Sequence, residues 1–330
     1  MKPDWMAALE KWDAEGVACA EAILASRQHS SPRMPGARLV VNERGELAGG
    51  VSMGCVENDL RAHLAALLRG EGEARMVRYG ANFDPLLEVG LSCGGEIGVW
   101  LRKHDGKSAA WKEAVALEGR EAYLLWTRLD GESRQGVWRP GAAAPGEGLA
   151  EVFAELWRKG ETRKVKDARG GAWFAEARRP EPLLAVVGAS PIAVELCAMA
   201  GRCGWRVALV DPRSDYARAE LFGGARVIHE WPEAGLAVAG VDNRAYVAIL
   251  AHDAKLDVPA LRAALGAEAK YVGLLGSAKT RDDRYAQLGA GVDVSRVHSP
   301  IGLKGLGGIE PAEIAVSILA EMIAVRRGAK

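Results

Sequence analysis

The chain has 330 residues, of which 49% are hydrophobic and 26% are charged, and its 43 basic residues balance its 43 acidic residues. This composition is typical of a globular protein with room for two domains, and the balanced charge does not favour a nucleic-acid-binding or membrane-binding surface. No apolar run approaches the roughly 20 residues of a membrane-spanning helix, and the N-terminus lacks the apolar stretch of a signal peptide. We therefore expect a cytoplasmic protein without nucleic-acid or membrane partners.

Cysteine and histidine usage argues against a disulfide scaffold and against a zinc site made by the protein alone. The five cysteines are an odd number without framework spacing, and the six histidines are scattered along the chain.

The first half of the chain predicts a mixed α and β domain. The predicted elements are a helix over residues 4–27, a hairpin around 42–45, a helix over Glu57–Leu68, a strand over Gly90–Leu101 and two strand-like runs, EAVALE and AYLLWTRL, within 110–140. A charged segment then ends in Pro180 and Pro182, which places the domain boundary near residue 180 and gives domains 1–180 and 181–330.

The second half alternates strands and helices, from a buried strand at Leu183–Val187 to a final helix that Pro311 opens and Gly328 closes. This alternation predicts a parallel, doubly wound sheet. The expected fold is thus an N-terminal α+β domain followed by a C-terminal Rossmann-like domain.

Two glycine-rich loops of the first domain each carry a cysteine. Cys55 follows Gly54 in GGVSMGCVE, and Cys93 precedes Gly94 and Gly95 in LSCGGEIGVWL. Glycine lets the backbone approach a ligand closely, and a thiolate held there can act as a nucleophile or as a soft ligand. The alternative is a pair of buried, inert cysteines in tight turns. The remaining cysteines, Cys19, Cys197 and Cys203, fall in helical patterns and are predicted to be structural.

An imperfect dinucleotide-binding fingerprint opens the second domain. Gly188 ends a strand, Ser190 stands where a second glycine is usual, and Asp211 ends the next strand, where it would accept hydrogen bonds from ribose hydroxyls. A Rossmann scaffold with weakened or absent cofactor binding is the alternative.

Two further strand ends carry polar residues. His252 and Asp253 would face the ligand crevice as an acid–base group or a phosphate donor, or Asp253 would only cap a helix beside a structural His252. The second strand end offers backbone amides and two cations to a phosphate. Its residues are Gly276, Ser277, Lys279 and Arg281.

Taken together, these segments resemble the xanthine dehydrogenase accessory factor family, that is, XdhC and CoxI-type proteins. The segments that carry the resemblance are GGVSMGCVE, GLSCGGEIGVWL, VVGASPIAVELCAMAGRCGWRVALVDPR, AHDAKLDVPALRAAL, YVGLLGSAKTRDDR and PIGLKGLGGIEPAEIAVSILAEMIAVRRG. They cover most of residues 40–102 and nearly all of 183–328. The family tends to have a second glycine where Met53 stands here.

The resemblance implies a dimeric maturation factor rather than an enzyme. Such a factor binds molybdenum cofactor, assists its sulfuration by a cysteine desulfurase and delivers it to an apo molybdenum hydroxylase of the xanthine or CO dehydrogenase type. Cys55 and Cys93 would then contact the molybdenum, and Lys279 and Arg281 would hold the cofactor's phosphate.

Two functions of other classes stay open at this point. One is an NAD(P)-dependent oxidoreductase that uses the Rossmann half. The other is a protein–protein adaptor without cofactor chemistry, for which the tryptophan-rich region between residues 100 and 173 would supply an exposed aromatic face.

Overall fold

The structure is a computed structural model that describes residues 2–29, 33–80, 95–131, 133–289, 291–306 and 309–328. The chain divides into two compact units, Met1–Pro180 and Glu181–Lys330. The first unit is an α+β domain and the second is a Rossmann-like domain.

The first unit contains four helices and nine strands within its described residues. They are α1 (Asp4–Ala14), β1 (Cys19–Gln28), β2 (Arg38–Asn42), β3 (Leu47–Gly49), α2 (Glu57–Leu68), β4 (Arg75–Tyr79), β5 (Glu96–Lys103), α3 (Ala109–Leu117), β6 (Tyr123–Arg128), β7 (Gln135–Trp138), α4 (Leu149–Lys159), β8 (Arg163–Lys166) and β9 (Ala172–Arg178).

These strands form two antiparallel sheets, one in the order β3-β2-β1-β5-β4 and one in the order β7-β6-β9-β8. Helix α2 covers one face of the five-stranded sheet, where Leu60 and Leu64 pack against Ala22, Leu39 and other buried side chains. The burial of this apolar face fixes the position of the start of α2 relative to the sheet.

A buried ionic network joins the two sheets of the first unit. The Arg38 guanidinium lies between the carboxylates of Glu21 and Glu176, and Arg102 donates a second set of hydrogen bonds to Glu21, the shorter being 2.5 Å. Burial tends to raise the pKa of Glu21, but the positive charges of Arg102 and Arg38 outweigh it and hold that pKa well below its usual range. The network links β1, β2 and β5 to β9.

The second unit alternates strands and helices over most of its length. Its elements are β10 (Leu183–Val187), α5 (Pro191–Arg202), β11 (Arg206–Val210), β12 (Arg226–Ile228), α6 (Pro232–Ala239), β13 (Tyr246–Ile249), α7 (Ala254–Gly266), β14 (Tyr271–Leu274), α8 (Ala278–Leu288), β15 (Val297–His298) and α9 (Pro311–Arg327).

The six strands described in this unit are parallel, in the order β12-β11-β10-β13-β14-β15. Helices α6, α7 and α8 pack on one face, and α5 and α9 pack on the other. The order reverses between β10 and β13, so the loops that follow these two strands border the crevice in which such folds bind ligands. The predicted doubly wound domain is confirmed.

Two local predictions for the first unit are wrong. The helix expected over residues 4–27 ends at Ala14, and Cys19 lies in strand β1. Gly16, with φ of +69°, follows the end of the helix. Strand β1 is buried over most of its length, so the apolar residues of β1 show no two-residue alternation. All of the run EAVALE except its last residue lies in helix α3, which Ser108 caps by accepting a hydrogen bond from the Trp111 amide.

Within the described ranges, no helix is both long enough and apolar enough to cross a membrane.

Candidate functional site

Cys55 lies in a tight loop between strand β3 and helix α2. Its side chain is exposed, two residues before α2 begins, whereas Val51 and Val56 on either side are buried. Gly54 has φ of +108°, a conformation that glycine adopts readily and other residues rarely do. The loop thus presents Cys55 at the surface and anchors itself through its apolar residues.

The carboxylate of Glu57, the first residue of α2, organises this loop. One oxygen accepts hydrogen bonds from the amides of Val51 and Ser52 at 3.1 and 2.7 Å. The other accepts from the Ser52 hydroxyl at 2.5 Å and from the Gly54 amide at 3.0 Å. The Ser52 hydroxyl in turn accepts a hydrogen bond of 3.0 Å from the Cys55 amide. Glu57 therefore positions Cys55 through Ser52.

Burial tends to raise the pKa of Glu57, but the hydrogen bonds from Ser52 and Gly54 outweigh it and hold that pKa below its usual range. The side chain therefore stays ionised at neutral pH, which is the state that accepts all of these hydrogen bonds.

The start of α2 is also tied to strand β4. The Tyr79 hydroxyl donates a hydrogen bond of 2.6 Å to Asp59 in the first turn of α2. Tyr79 pairs with Ile97 in β5, so the ends of β4 and β5 that flank residues 81–94 lie beside the start of α2. Cys93 and Gly94 lie outside the described residues, and Gly95 is buried immediately before β5.

In the second unit, Gly188 directly follows strand β10, in a turn that requires glycine. Its φ is +99°, and a Cβ at this position would lie 2.4 Å from the Cα of Ala251, which follows β13. The turn after β10 and the residues after β13 are thus in direct contact. Ser190 caps α5 by accepting a hydrogen bond of 3.3 Å from the Ala193 amide, and Pro191 supplies no amide hydrogen at the next position.

Asp211 follows β11 and is fully buried. Its oxygens accept hydrogen bonds from the Ala189 amide at 2.7 Å and from the Arg213 side chain at 2.9 and 2.7 Å. Burial tends to raise the pKa of Asp211, but these hydrogen bonds outweigh it and lower that pKa. In this structure the carboxylate holds the turn after β10 together, and its two oxygens already have protein partners.

His252 and Asp253 follow strand β13. His252 is exposed and has φ of +56°, a strained conformation for a residue other than glycine. Asp253 caps α7 by accepting a hydrogen bond of 2.9 Å from the Lys255 amide. Asp253 thus makes the helix-capping contact that is one of the two interpretations of its position in the sequence. The acid–base role of His252 stays a prediction.

The turn after β14 holds the remaining candidates. Gly276 has φ of +139°, and Ser277 caps α8 by accepting a hydrogen bond of 3.2 Å from the Thr280 amide. Lys279 is exposed, whereas Arg281 pairs with its neighbour Asp282 at 2.8 Å. Lys279 is thus the cation better placed to meet a phosphate at this helix start.

A cavity of about 550 Å³ lies in the second unit beside the starts of helices α5 and α9. Its walls are mainly apolar, and its polar side chains include Tyr216 and the carboxylates of Glu195 and Glu310. Among the residues that the structure describes, no group of three or more His, Cys, Asp or Glu side chains is arranged to hold a metal ion.

The sequence does not single out Glu57, Tyr79 or the two cavity carboxylates as candidate site residues. For Glu57 a signal was present, because an acidic residue that follows a glycine-rich loop and begins a helix often accepts hydrogen bonds from the loop's amides. Tyr79 and the cavity depend on contacts between elements that are distant in the chain.

Comparison with known proteins gives two family matches. Residues 184–322 match the family described as the XdhC Rossmann domain, and residues 12–80 match the XdhC and CoxI family. Together they cover more than half of the chain.

Similar proteins extend over nearly the whole chain. A Bacillus subtilis protein, named as a probable xanthine dehydrogenase subunit, is 27% identical over 93% of this chain and 94% of its own length. The Escherichia coli molybdenum cofactor insertion chaperone PaoD is 28% identical, over 88% of this chain and 78% of its own. A crystal structure from Bacillus halodurans, described as a xanthine dehydrogenase, shares the fold with a TM-score of 0.73 and 24% identity, over 99% of this chain and 97% of the other.

Proposed function

Because this chain belongs to the XdhC and CoxI family, we propose that it is a maturation factor that binds molybdenum cofactor and assists its insertion into a molybdenum hydroxylase. One relative is named a molybdenum cofactor insertion chaperone, and another is named as a probable part of xanthine dehydrogenase. The first name supports molybdenum cofactor as the cargo, and the second supports a hydroxylase of the xanthine dehydrogenase type as the client.

The observation that carries the proposal is the presentation of Cys55. An exposed thiol on a loop held by Glu57 and Ser52 is poorly explained by packing, because cysteine is among the residues most often buried. The hydrogen bonds fix the backbone of the loop and leave the thiol at the surface. This arrangement suits contact with a cargo that arrives from solution.

The chemistry of this thiol fits the cargo. Molybdenum cofactor is a pterin dithiolene that carries a phosphate and, when sulfurated, a sulfur bound to the metal. A thiolate is a soft ligand that tolerates metal–sulfur chemistry. We propose that Cys55 contacts the metal centre and that Cys93 shares its site.

The proposal includes partners that follow from this role. A carrier of a sulfurated cofactor requires a cysteine desulfurase as the source of sulfur and an apo molybdenum hydroxylase as the acceptor. We also propose that the carrier acts as a homodimer in the cytoplasm and is not itself an enzyme.

No specific observation favours either alternative function, the NAD(P)-dependent oxidoreductase or the protein–protein adaptor. For an NAD(P)-dependent oxidoreductase, Asp211 would have to accept hydrogen bonds from a ribose, but its oxygens are engaged by Ala189 and Arg213. For an aromatic docking surface, the tryptophans between residues 100 and 173 would have to be exposed. Four are buried, namely Trp100, Trp111, Trp138 and Trp173, and two are half-buried, namely Trp126 and Trp157.

Transfer of the cofactor tests the proposed function. The chain is loaded anaerobically with molybdenum cofactor, separated from unbound cofactor and mixed with an apo hydroxylase of the xanthine dehydrogenase type. We expect hydroxylase activity to appear, to fall strongly with Cys55→Ala and to be unchanged with Cys203→Ala, which removes another exposed cysteine. Equal activation by both variants would contradict the role of Cys55.

A further inference from the structure

We propose that the cavity beside the starts of α5 and α9 binds a flat heteroaromatic ring with a 2-amino-4-oxopyrimidine edge, as in pterin or guanine. The inference rests on the proposed function, because it assigns a pterin-type ring to a cavity of the second unit. Its volume of about 550 Å³ lies within the range of small-molecule sites, roughly 300–1,000 Å³.

The walls of the cavity suit a flat, apolar ring. Pro191, Val194, Leu221 and Phe222 supply apolar surface, and Tyr216 supplies an aromatic ring that is 62% exposed. Aromatic rings stack on one another in offset arrangements. The Arg213 guanidinium lies 5.0 Å from the centre of the Tyr216 ring and is held by Asp211, so one face of this ring is already supported.

The polar groups of the cavity match the edge of such a ring. A 2-amino-4-oxopyrimidine presents two N–H donors beside a carbonyl acceptor. Glu310 precedes α9 and makes no side-chain capping bond, so its carboxylate can accept from both donors. The first-turn amides of a helix have no partner within the helix, and the amide of Ala312, which lines the cavity, can donate to the carbonyl.

A second carboxylate, Glu195 on α5, also lines the cavity. Among the residues that the structure describes, neither the carboxylate of Glu195 nor that of Glu310 makes a hydrogen bond or an ion pair. Two carboxylates without cationic partners disfavour an anionic group inside the cavity and favour a ligand that donates hydrogen bonds. The expected ligand therefore enters with its ring and leaves any phosphate outside.

The test is a fluorescence titration of the full chain with pterin and with lumazine, in which an oxo group replaces the 2-amino group of pterin. A site that reads the amino edge binds lumazine roughly tenfold or more weakly, because a hydrogen bond to a charged group is lost. Glu310→Gln should weaken pterin binding by a similar factor. Glu233→Gln, at an exposed position on α6, is the matched control and should change nothing.

Further titrations distinguish stacking on Tyr216 from recognition of the ring's polar edge, and distinguish a pterin ligand from a guanine ligand. Tyr216→Ala should weaken pterin and lumazine equally. Tighter binding of guanosine than of pterin would support the same edge recognition and assign the cavity to a guanine nucleotide. Equal binding of pterin and lumazine, unchanged affinity in Glu310→Gln, or binding of argininamide without binding of pterin would overturn the inference.

Cys55→Ala should leave the affinity for pterin unchanged, because the probe has no metal, dithiolene or phosphate. For the wild-type chain, absence of cofactor delivery with intact pterin binding would contradict the proposed function alone, and delivery without pterin binding would contradict this inference alone.

Discussion

The Tyr79 hydroxyl donates a hydrogen bond of 2.6 Å to Asp59, and this contact joins the end of strand β4 to the first turn of helix α2. The loop that presents Cys55 leads directly into the same turn. Tyr79 pairs with Ile97 of β5, so the contact also places these described ends of β4 and β5 close to the Cys55 loop.

We therefore expect Cys55 and Cys93 to be close enough for a short bifunctional maleimide to link them within one chain. Peptide mapping by mass spectrometry should find this cross-link in the wild-type protein. Tyr79→Phe, which removes only the hydroxyl, should lower its yield. Single modifications of Cys55 and Cys93 without a link would show that the two cysteines do not share a site.

Glu57→Gln should destabilise the first unit and loosen the Cys55 loop. The neutral amide cannot accept all the hydrogen bonds that the carboxylate accepts, so the free energy of unfolding should fall by roughly 1–3 kcal/mol. Urea unfolding measures this change. Asn58→Ala, at an exposed position of the same helix turn, should cost little. Equal losses in the two variants would contradict the organising role of Glu57.

The effect of Glu57 should also depend on pH. Its folded-state pKa is lowered, so its contribution to stability is fully present above the ordinary value of 4.5 and is lost as the pH falls through the lowered value. The stability difference between wild type and Glu57→Gln should thus be constant near neutral pH and shrink in acid. A difference that grew on acidification would contradict this sign.

The cysteines should differ sharply in reactivity. Burial raises the pKa of Cys197 to about 12, and burial together with nearby carboxylates raises that of Cys19 to about 12. At pH 8 about one such thiol in ten thousand is ionised, and the thiolate is the reactive form. In a Cys93→Ala background, Ellman's reagent should therefore modify the exposed Cys55 and Cys203 in the native protein, and Cys19 and Cys197 only after unfolding. Rapid native modification of Cys197 would contradict its burial.

Arg213→Ala should destabilise the second unit more than Arg244→Ala does. Both arginines bind an aspartate two residues earlier, but Asp211 is 0% exposed whereas Asp242 is 44% exposed. Loss of Arg213 leaves a buried carboxylate with fewer partners and should cost about 2 kcal/mol, whereas an exposed pair contributes less than about 1 kcal/mol. Thermal or urea unfolding of the two variants measures the difference, and equal effects would contradict the structural role of Asp211.

The sequence predicts elements well where the hydrophobic period is unambiguous. Helix Glu57–Leu68 is confirmed at both ends, because Leu60, Leu64 and Leu67 recur at helical spacing toward one sheet face. The sequence predicts a helix in place of strand β1, because a central strand that is buried over most of its length shows no alternation and its apolar residues continue the spacing of α1.

The candidate site was only partly accessible to sequence reasoning. The glycine at 54 and the cysteine beside it mark the loop, but the bonds from Ser52 to Glu57 depend on how the loop closes. The Asp211 pattern predicts a ribose contact, yet the pairing with Arg213 depends on the local path of the chain after β11. Such contacts are set by three-dimensional geometry that residue spacing alone does not fix.

The most direct test of the central claim is the amount of cofactor that the chain retains. The protein is incubated anaerobically with molybdenum cofactor and passed through gel filtration, and molybdenum and pterin are then measured per protomer. The account predicts near-stoichiometric retention in wild type and in Cys203→Ala, and a marked loss in Cys55→Ala with thermal stability unchanged. Absence of retention by the folded wild-type protein, or full retention by Cys55→Ala, would contradict it.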